Sequence, residues 1–434
     1  MTELLDSHAG TGLKRVGPLW MTLFTVAWLA IWTIQLTPIQ LLLPLQLDTG
    51  ALGENWIGGV VWAGVVLSVG GLIGVIAAPM AGRWSDRTRS RWGRRRPWAI
   101  CGSLLSAIGL VLTGLVTGPV AIGGAWIVVS VGISVASAAF TAMIADQLPA
   151  TQRGAASAAS SSAQALGVVV GVGTVVLSGL GIFESYLVIA AIIAVIGVAA
   201  ALWLPDEPAH RMIALAPGST ARRSSSLRDS NFLWLLSSRL VVNIGNALGT
   251  ALLLFFLLYG LKVPAAEAQD DLLLLIAVYT IFTVVSAVVT GFVSDRASAN
   301  PVRRRRTLTV LSALFGMVWG VVILISPSLI MTMIASALMG VGYGAYMTVS
   351  LALATDLLKD PEGHAHDLGL VNVSAQLGQL LGPLLGAGLV AVVGGFWLLQ
   401  AAAVVLSAVG AIMTYGIKTP GLVPQASAAV ARHS

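Results

Sequence analysis

The sequence predicts an all-α membrane protein: twelve transmembrane helices in two six-helix halves related by a pseudo-twofold axis. Three observations predict it. Hydrophobic residues make up 57% of the 434, mean hydropathy is +0.90 and only 10% of residues are charged, a composition outside the soluble globular range. Twelve apolar runs can be counted, each long enough to cross hydrocarbon, which takes about 20 residues. Finally, features of the second half repeat those of the first at a nearly constant offset.

The runs lie at roughly 19–45, 55–80, 98–117, 120–145, 155–179, 184–204, 232–260, 270–293, 307–326, 328–354, 368–393 and 395–417. They place a first half over 1–204, a linker over 205–230, a second half over 231–419 and a disordered tail over 420–434. Lys14 and Arg15 precede the first run, which is too long for a signal h-region and lacks a small-residue cleavage site, so it reads as a retained helix. Pro38 is placed to kink it. The linker holds Pro205, Pro208, Pro217, Gly218 and the run Ser219 to Ser226 without apolar periodicity, the composition of a mobile connection. Trp20, Trp56, Trp84, Trp203, Trp234 and Trp397 lie near run ends and read as interface anchors. Cys101 stands alone, so no internal disulfide forms and packing is its expected role.

An even number of spans puts both termini on one side. Of the 24 lysines and arginines, all but Lys262 and Arg239 fall in the tails, linker and loops of that side. The positive-inside rule makes that side the cytoplasm and the chain an integral protein of the cytoplasmic membrane. The net charge of +6 is interrupted by apolar spans, so it is not the footprint of nucleic acid.

The densest charge is Gly82-Arg83-Trp84-Ser85-Asp86-Arg87-Thr88-Arg89-Ser90-Arg91-Trp92-Gly93-Arg94-Arg95-Arg96-Pro97-Trp98, which carries seven arginines and reads as a short loop. It returns in weaker form as Gly291-Phe292-Val293-Ser294-Asp295-Arg296, followed by Arg303 to Arg306. Asp86 and Asp295 are 209 residues apart, and Asp146 and Asp356 are 210 apart. Ser162-Ala163-Gln164 answers Ser374-Ala375-Gln376, while Gly167 and Gly171 answer Gly378 and Gly382. One offset shared by separate features is the mark of a duplicated unit, and six spans per unit give both halves the same orientation.

With these residues the chain resembles the major facilitator superfamily, whose hallmark is the Gly-x-x-x-Asp-Arg loop and its echo. The longer Ser85-Asp86-Arg87 to Trp98 stretch, with Trp32-Thr33-Ile34-Gln35-Leu36 in the first span, is similar to the plant sucrose carriers and the related glycoside–pentoside–hexuronide symporter branch. The resemblance implies a secondary carrier for a sugar or glycoside. Plant carriers place an arginine five residues before the aspartate that ends span four. Here that position is Thr141, a departure that leaves sucrose itself unassigned.

Gly82, Asp86, Arg87, Arg94, Asp146, Gly291, Asp295, Arg296 and Asp356 are the candidate gating residues. An arginine at a helix carboxyl end is favoured by the dipole and an acid is not. Asp86 therefore needs a partner, and a helix amino terminus or arginine of the other half would make it a latch, with Gly82 allowing close helix approach. The bland reading, that the arginines only set topology, applies equally to Arg89, Arg91, Arg94, Arg95 and Arg96.

Candidate solute-binding residues are Trp28, Trp32, Gln35, Gln164, Arg239, Asn243, Asn246, Asn372, Gln376 and Gln379. Spans one, seven and eleven carry three each at helical spacing, and span five carries Gln164. Indole faces stack on sugar rings and amides bond hydroxyls without charge. The competing reading is interhelical bonding and core packing, with Arg239 snorkelling. No acid lies mid-span; Asp48, Glu54 and Glu184 sit near outer ends and lack the buried setting of a proton carrier. Coupling to a proton or cation and uniport are both open. His364 and His366 have no further ligand set, so no metal is expected. No nucleophile–base pair or phosphate loop marks an enzyme, and no cofactor is expected. An exporter of amphipathic compounds and a non-transporting sensor are the alternatives to a carrier of a small-molecule solute. The other expected partner is the lipid bilayer.

Overall fold

The computed structural model describes residues 15–52, 55–206, 229–295, 300–357 and 364–418, and all regular structure among them is helical. Twelve helices among the described residues are long and apolar enough to cross a membrane. They are α1 (Pro18–Gln46), α2 (Trp56–Arg87), α3 (Arg96–Leu115), α4 (Pro119–Gln147), α5 (Ala150–Ser178), α6 (Ile182–Trp203), α7 (Ser230–Ala251), α8 (Ala265–Asp295), α9 (Pro301–Ile325), α10 (Leu329–Leu357), α11 (His364–Val393) and α12 (Trp397–Tyr415). The predicted fold class, an all-helical membrane protein of twelve spans, is the fold observed.

Local chemistry explains the departures from regularity. Pro38 has no N–H to donate, and a π-helical turn at Pro38–Leu42 absorbs the break in α1. The Asn55 side chain accepts the N–H of Ile57 at 3.0 Å and starts α2. Gly82 to Arg87 are the last turns of α2, not loop, because the carboxyl end of a helix tolerates cations. Likewise Arg303 to Arg306 belong to α9, not to a loop. There the dipole opposes them, but Asn300 caps the Arg303 N–H at 3.0 Å and Pro301 occupies the first turn.

Packing divides the chain into two compact units. The first comprises Met1–Gly218, Ala247–Thr280 and Leu380–Leu399; the second comprises Ser219–Asn246, Ile281–Gln379 and Gln400–Ser434. Within the first unit, α5 lies against α1 so closely that a Cβ on Gly167 would sit 2.8 Å from the Trp32 Cβ. Gly102 and Gly132 do the same for α3 and α4, each facing backbone of the other helix. Within the second unit, a Cβ on Gly378 of α11 would meet Asn243 Cβ of α7 at 2.5 Å. The repeat is thus a repeat of contacts: α11 packs on α7 through the glycine that answers the one by which α5 packs on α1. Small residues let such helices approach where no hydrophobic effect drives them together.

Candidate functional site

At the end of the helices nearest the amino terminus, the first unit carries a charge network on the α2–α3 turn. Arg95, whose side chain is 6% exposed, bonds Asp146 of α4 at 2.8 Å, Asp86 of α2 at 2.6 Å and the Ser85 hydroxyl at 3.0 Å. Arg94 bonds the other Asp146 oxygen at 2.8 Å. Burial opposes the Arg95 charge, but the bonds to Asp146 and then Asp86 outweigh it and hold its pKa above the ordinary arginine value. The turn is braced by Asp206, which accepts the backbone N–H groups of Arg95 and Arg96 at 2.7 Å. Its approach leaves no room for a Cβ at Gly93, whose φ is 104°. Arg96 donates to the carbonyls of Ala201 and Leu204 at 3.0 Å each.

The second unit repeats this network. Arg305 bonds Asp356 of α10 at 2.6 Å, Asp295 of α8 at 3.1 Å and the Ser294 hydroxyl at 3.2 Å. Of the candidate gating acids, Asp86, Asp146, Asp295 and Asp356 are therefore all gathered by arginines. Asp86 was expected to take a partner from the other half; it takes Arg95 of its own. Arg95 and Arg305 were absent from the candidates, yet they stand 210 residues apart, within one residue of the offset of the acids they hold. Arg87 is exposed outside the network, Gly82 has nothing within 4 Å to pack against, and Gly291 makes only an ordinary contact with Thr348. Arg296 and Glu54 lie outside the described residues, as do 207–228 of the linker and the tail from 420.

Deeper in the second unit lies a polar chain. Gln379 of α11 donates to the Tyr343 hydroxyl at 3.2 Å, Tyr343 of α10 donates to Asn243 Oδ1 at 2.9 Å, and the Asn243 amide donates to the Arg239 carbonyl at 2.8 Å. Arg239 is 1% exposed and bonds the Ser350 hydroxyl through one terminal nitrogen, while its Nε has no partner. It does not snorkel. Asn246, two turns further along α7, is buried as well, whereas Asn372 and Gln376 are exposed on α11. Tyr343 and Ser350 were missed, because nothing in the α10 sequence marks which of its turns faces α7.

In the first unit, Trp20, Phe24, Trp28 and Trp32 form a ladder along α1 with ring centroids 5.0 to 6.2 Å apart. The indole N–H groups of Trp28 and Trp32 are buried without partners. Gln35 is half-buried and Gln164 is exposed. Trp20 is no interface anchor: it is buried and donates to Gln147 at 2.6 Å. Cys101, expected to pack inside, is exposed on α3.

At the opposite end, the first unit is closed by contacts from distant parts of the chain. Tyr259 donates to Asp48 at 2.6 Å, and Asp48, 8% exposed, also accepts the Gly50 N–H at 3.0 Å. Trp56 stacks on Tyr259 at 4.9 Å and on Phe396 at 5.5 Å, so it belongs to this closure and not to the membrane interface. About three turns further along α2 from Trp56, Ser68 donates to the Leu380 carbonyl at 2.8 Å. Asp48 thus has the buried setting that its position in the sequence did not suggest. The side chains of His364 and His366 lie outside the described residues, and no cluster of metal-ligating side chains occurs among the described residues.

Residues 88–302 and 265–432 match the family model of the Major Facilitator Superfamily. The chain is 45% identical over 53 residues to the general alpha-glucoside permease of Schizosaccharomyces pombe, covering 12% of this chain and 10% of the permease. It is 38% identical over 53 residues to the sucrose transport protein SUC4 of Arabidopsis thaliana, again 12% of this chain and 10% of that one. These matches span only about a tenth of either relative. The fold is similar to that of the nucleoside transporter NupG, with a TM-score of 0.68, 14% identity, and coverage of 92% of this chain and 97% of that one.

Proposed function

Because the chain belongs to the Major Facilitator Superfamily, we propose that it carries a small polyhydroxylated solute, a sugar or glycoside, across the cytoplasmic membrane by alternating access. Both termini lie in the cytoplasm on this reading. One observation carries the solute class: each unit holds buried donors without acceptors. Trp28 and Trp32 are 10 and 14 residues into α1 and Arg239 is nine into α7, about 14–21 Å from the helix starts and near mid-bilayer. Buried polar groups are ordinarily paired, so unpaired donors, with the Asn243 and Gln379 amides joined to Arg239 in the second unit, suit a ligand rich in hydroxyl acceptors. The short matches to a glucoside permease and a sucrose transporter support the same class. The gate on this reading is the pair of arginine-centred networks, Asp86–Arg95–Asp146 and Asp295–Arg305–Asp356.

The test is thermal shift of the purified full chain across mono- and disaccharides and their glycosides, followed by uptake into proteoliposomes. At least one glycoside is expected to raise the melting temperature and to accumulate. Stabilisation and expulsion of amphipathic dyes with no response to glycosides would replace the reading with an exporter. Binding without uptake would make the chain a sensor. Accumulation under an inward proton gradient identifies a symporter, and gradient-independent uptake a uniporter.

A further inference from the structure

The seven arginines of the α2–α3 stretch divide into two sets. Arg94, Arg95 and Arg96 are bonded inward, to Asp146, Asp86 and the carbonyls at the end of α6. Arg83, Arg87, Arg89 and Arg91 are exposed, and none has an ion-pair partner among the described residues. Setting topology does not require four exposed arginines within nine residues, yet Arg83 to Arg91 holds them.

Their setting gives them a use. Val69, Leu72, Ile76 and Met80 follow one another along α2 at three- and four-residue steps, and all are exposed. They make one apolar stripe on the outside of the helix. The stripe continues without a break into Trp84, also exposed, and then into Arg83 and Arg87. From Leu72 to Arg83 the helix rises about 16 Å, half of a ~30 Å hydrocarbon core. The apolar part therefore matches one leaflet, and the arginines stand at the level of its phosphates. Trp84 occupies the boundary, where an amphipathic ring is favoured. Exposed Arg89, Arg91 and Trp92 follow within five residues of the end of α2. Trp98 donates to the Thr88 hydroxyl at 2.7 Å and its ring lies 6.1 Å from that of Trp84, which ties the turn to α2.

We propose that this end of α2 binds an anionic phospholipid, with an acyl chain along Leu72, Ile76 and Met80 and the phosphate held by Arg83, Arg87, Arg89 and Arg91. Guanidinium groups form paired, charge-assisted bonds to phosphate oxygens, and basic clusters beside a membrane span attract anionic headgroups. The occupant is a lipid rather than free phosphate because the cations continue an apolar stripe. The site is distinct from any solute site and does not rest on the proposed solute class.

The test uses the purified full chain in detergent, titrated with phosphatidylglycerol, phosphatidylcholine or inorganic phosphate. Thermal unfolding and native mass spectrometry are the readouts. Phosphatidylglycerol is expected to be retained at least fivefold over phosphatidylcholine and to raise the melting temperature, both effects shrinking with salt. The quadruple substitution of Arg83, Arg87, Arg89 and Arg91 to Gln should bring retention of the two lipids to parity, while the quadruple Lys variant should keep most of the preference. The double variant Arg87→Gln, Arg89→Gln carries the same test with partial loss if the quadruple Gln variant fails to insert. Equal retention of both lipids by the wild-type chain, or an undiminished preference in the Gln variants, would overturn the proposal. An equal shift from inorganic phosphate alone would also overturn it.

Discussion

Arg95 joins three elements through one side chain, and this makes single substitutions around it unequal. Arg95→Gln removes the cation from two carboxylates and a hydroxyl. It is expected to destabilise the first unit by about 1.5–3 kcal/mol, the range for hydrogen bonds to charged groups, read as a lowered melting temperature in detergent. Asp86 is 57% exposed, against 21% for Asp146, and an exposed ion pair contributes at most about 1 kcal/mol. Asp86→Asn should therefore leave the melting temperature nearly unchanged while reducing uptake, because a gate residue shifts populations rather than stability. Unchanged uptake in that variant would remove Asp86 from the gate. Asn243 is a second case. Its amide bonds Arg239 and accepts from Tyr343, so Asn243→Ala is expected to weaken binding of a responding glycoside by about 1–3 kcal/mol, checked by titration calorimetry. The amide was readable from helical spacing alone. Its partner Tyr343 was not, since a neighbouring helix has to be turned to the right face before the two can meet.

At the scale of elements, the paired contacts of α5 on α1 and α11 on α7 depend on glycines. A Cβ at Gly378 would meet Asn243 Cβ, the Leu240 carbonyl and the Ile244 amide, all within 3.0 Å. Two of these are backbone atoms and cannot swing aside. Gly378→Ala is expected to destabilise the second unit by about 1–3 kcal/mol, the usual cost of overpacking, whereas Gly388→Ala, which has nothing within 4 Å, should be nearly neutral. Melting temperatures of the two variants check this. The repeat offset announced that Gly167 and Gly378 do the same work, but it did not say which helix each one faces.

At the scale of the molecule, the first unit is closed at the end remote from the termini by Asp48, Trp56, Ser68, Tyr259, Leu380 and Phe396. These residues come from three separate stretches of the chain. Tyr259→Phe removes the bond to Asp48 and is expected to favour opening there by about tenfold, the equivalent of 1.4 kcal/mol. In a Cys101→Ser background, a cysteine at Ser68 should then be labelled about ten times faster by an impermeant maleimide applied from outside the cell. Unchanged labelling would show that the stack of Trp56 on Tyr259 and Phe396 suffices without the hydrogen bond. Orientation has its own check. A cysteine at Ser225 in the linker, outside the described residues, should be labelled only from the cytoplasmic side.

The sequence by itself determined the number of spans, the duplication and the clustering of charge. Each of these is a sum over neighbouring residues: span length follows from consecutive apolar side chains, and the repeat from two stretches compared along one line. Tertiary structure alone decided that Arg95 and Arg305 hold the acids and that Trp56 belongs to a closure. It alone decided that Asp48 is buried beneath Tyr259, 211 residues away. Those outcomes depend on the rotation of each helix about its axis and on which distant helix comes to lie beside it. Packing across helices sets both, and an apolar run carries little trace of either.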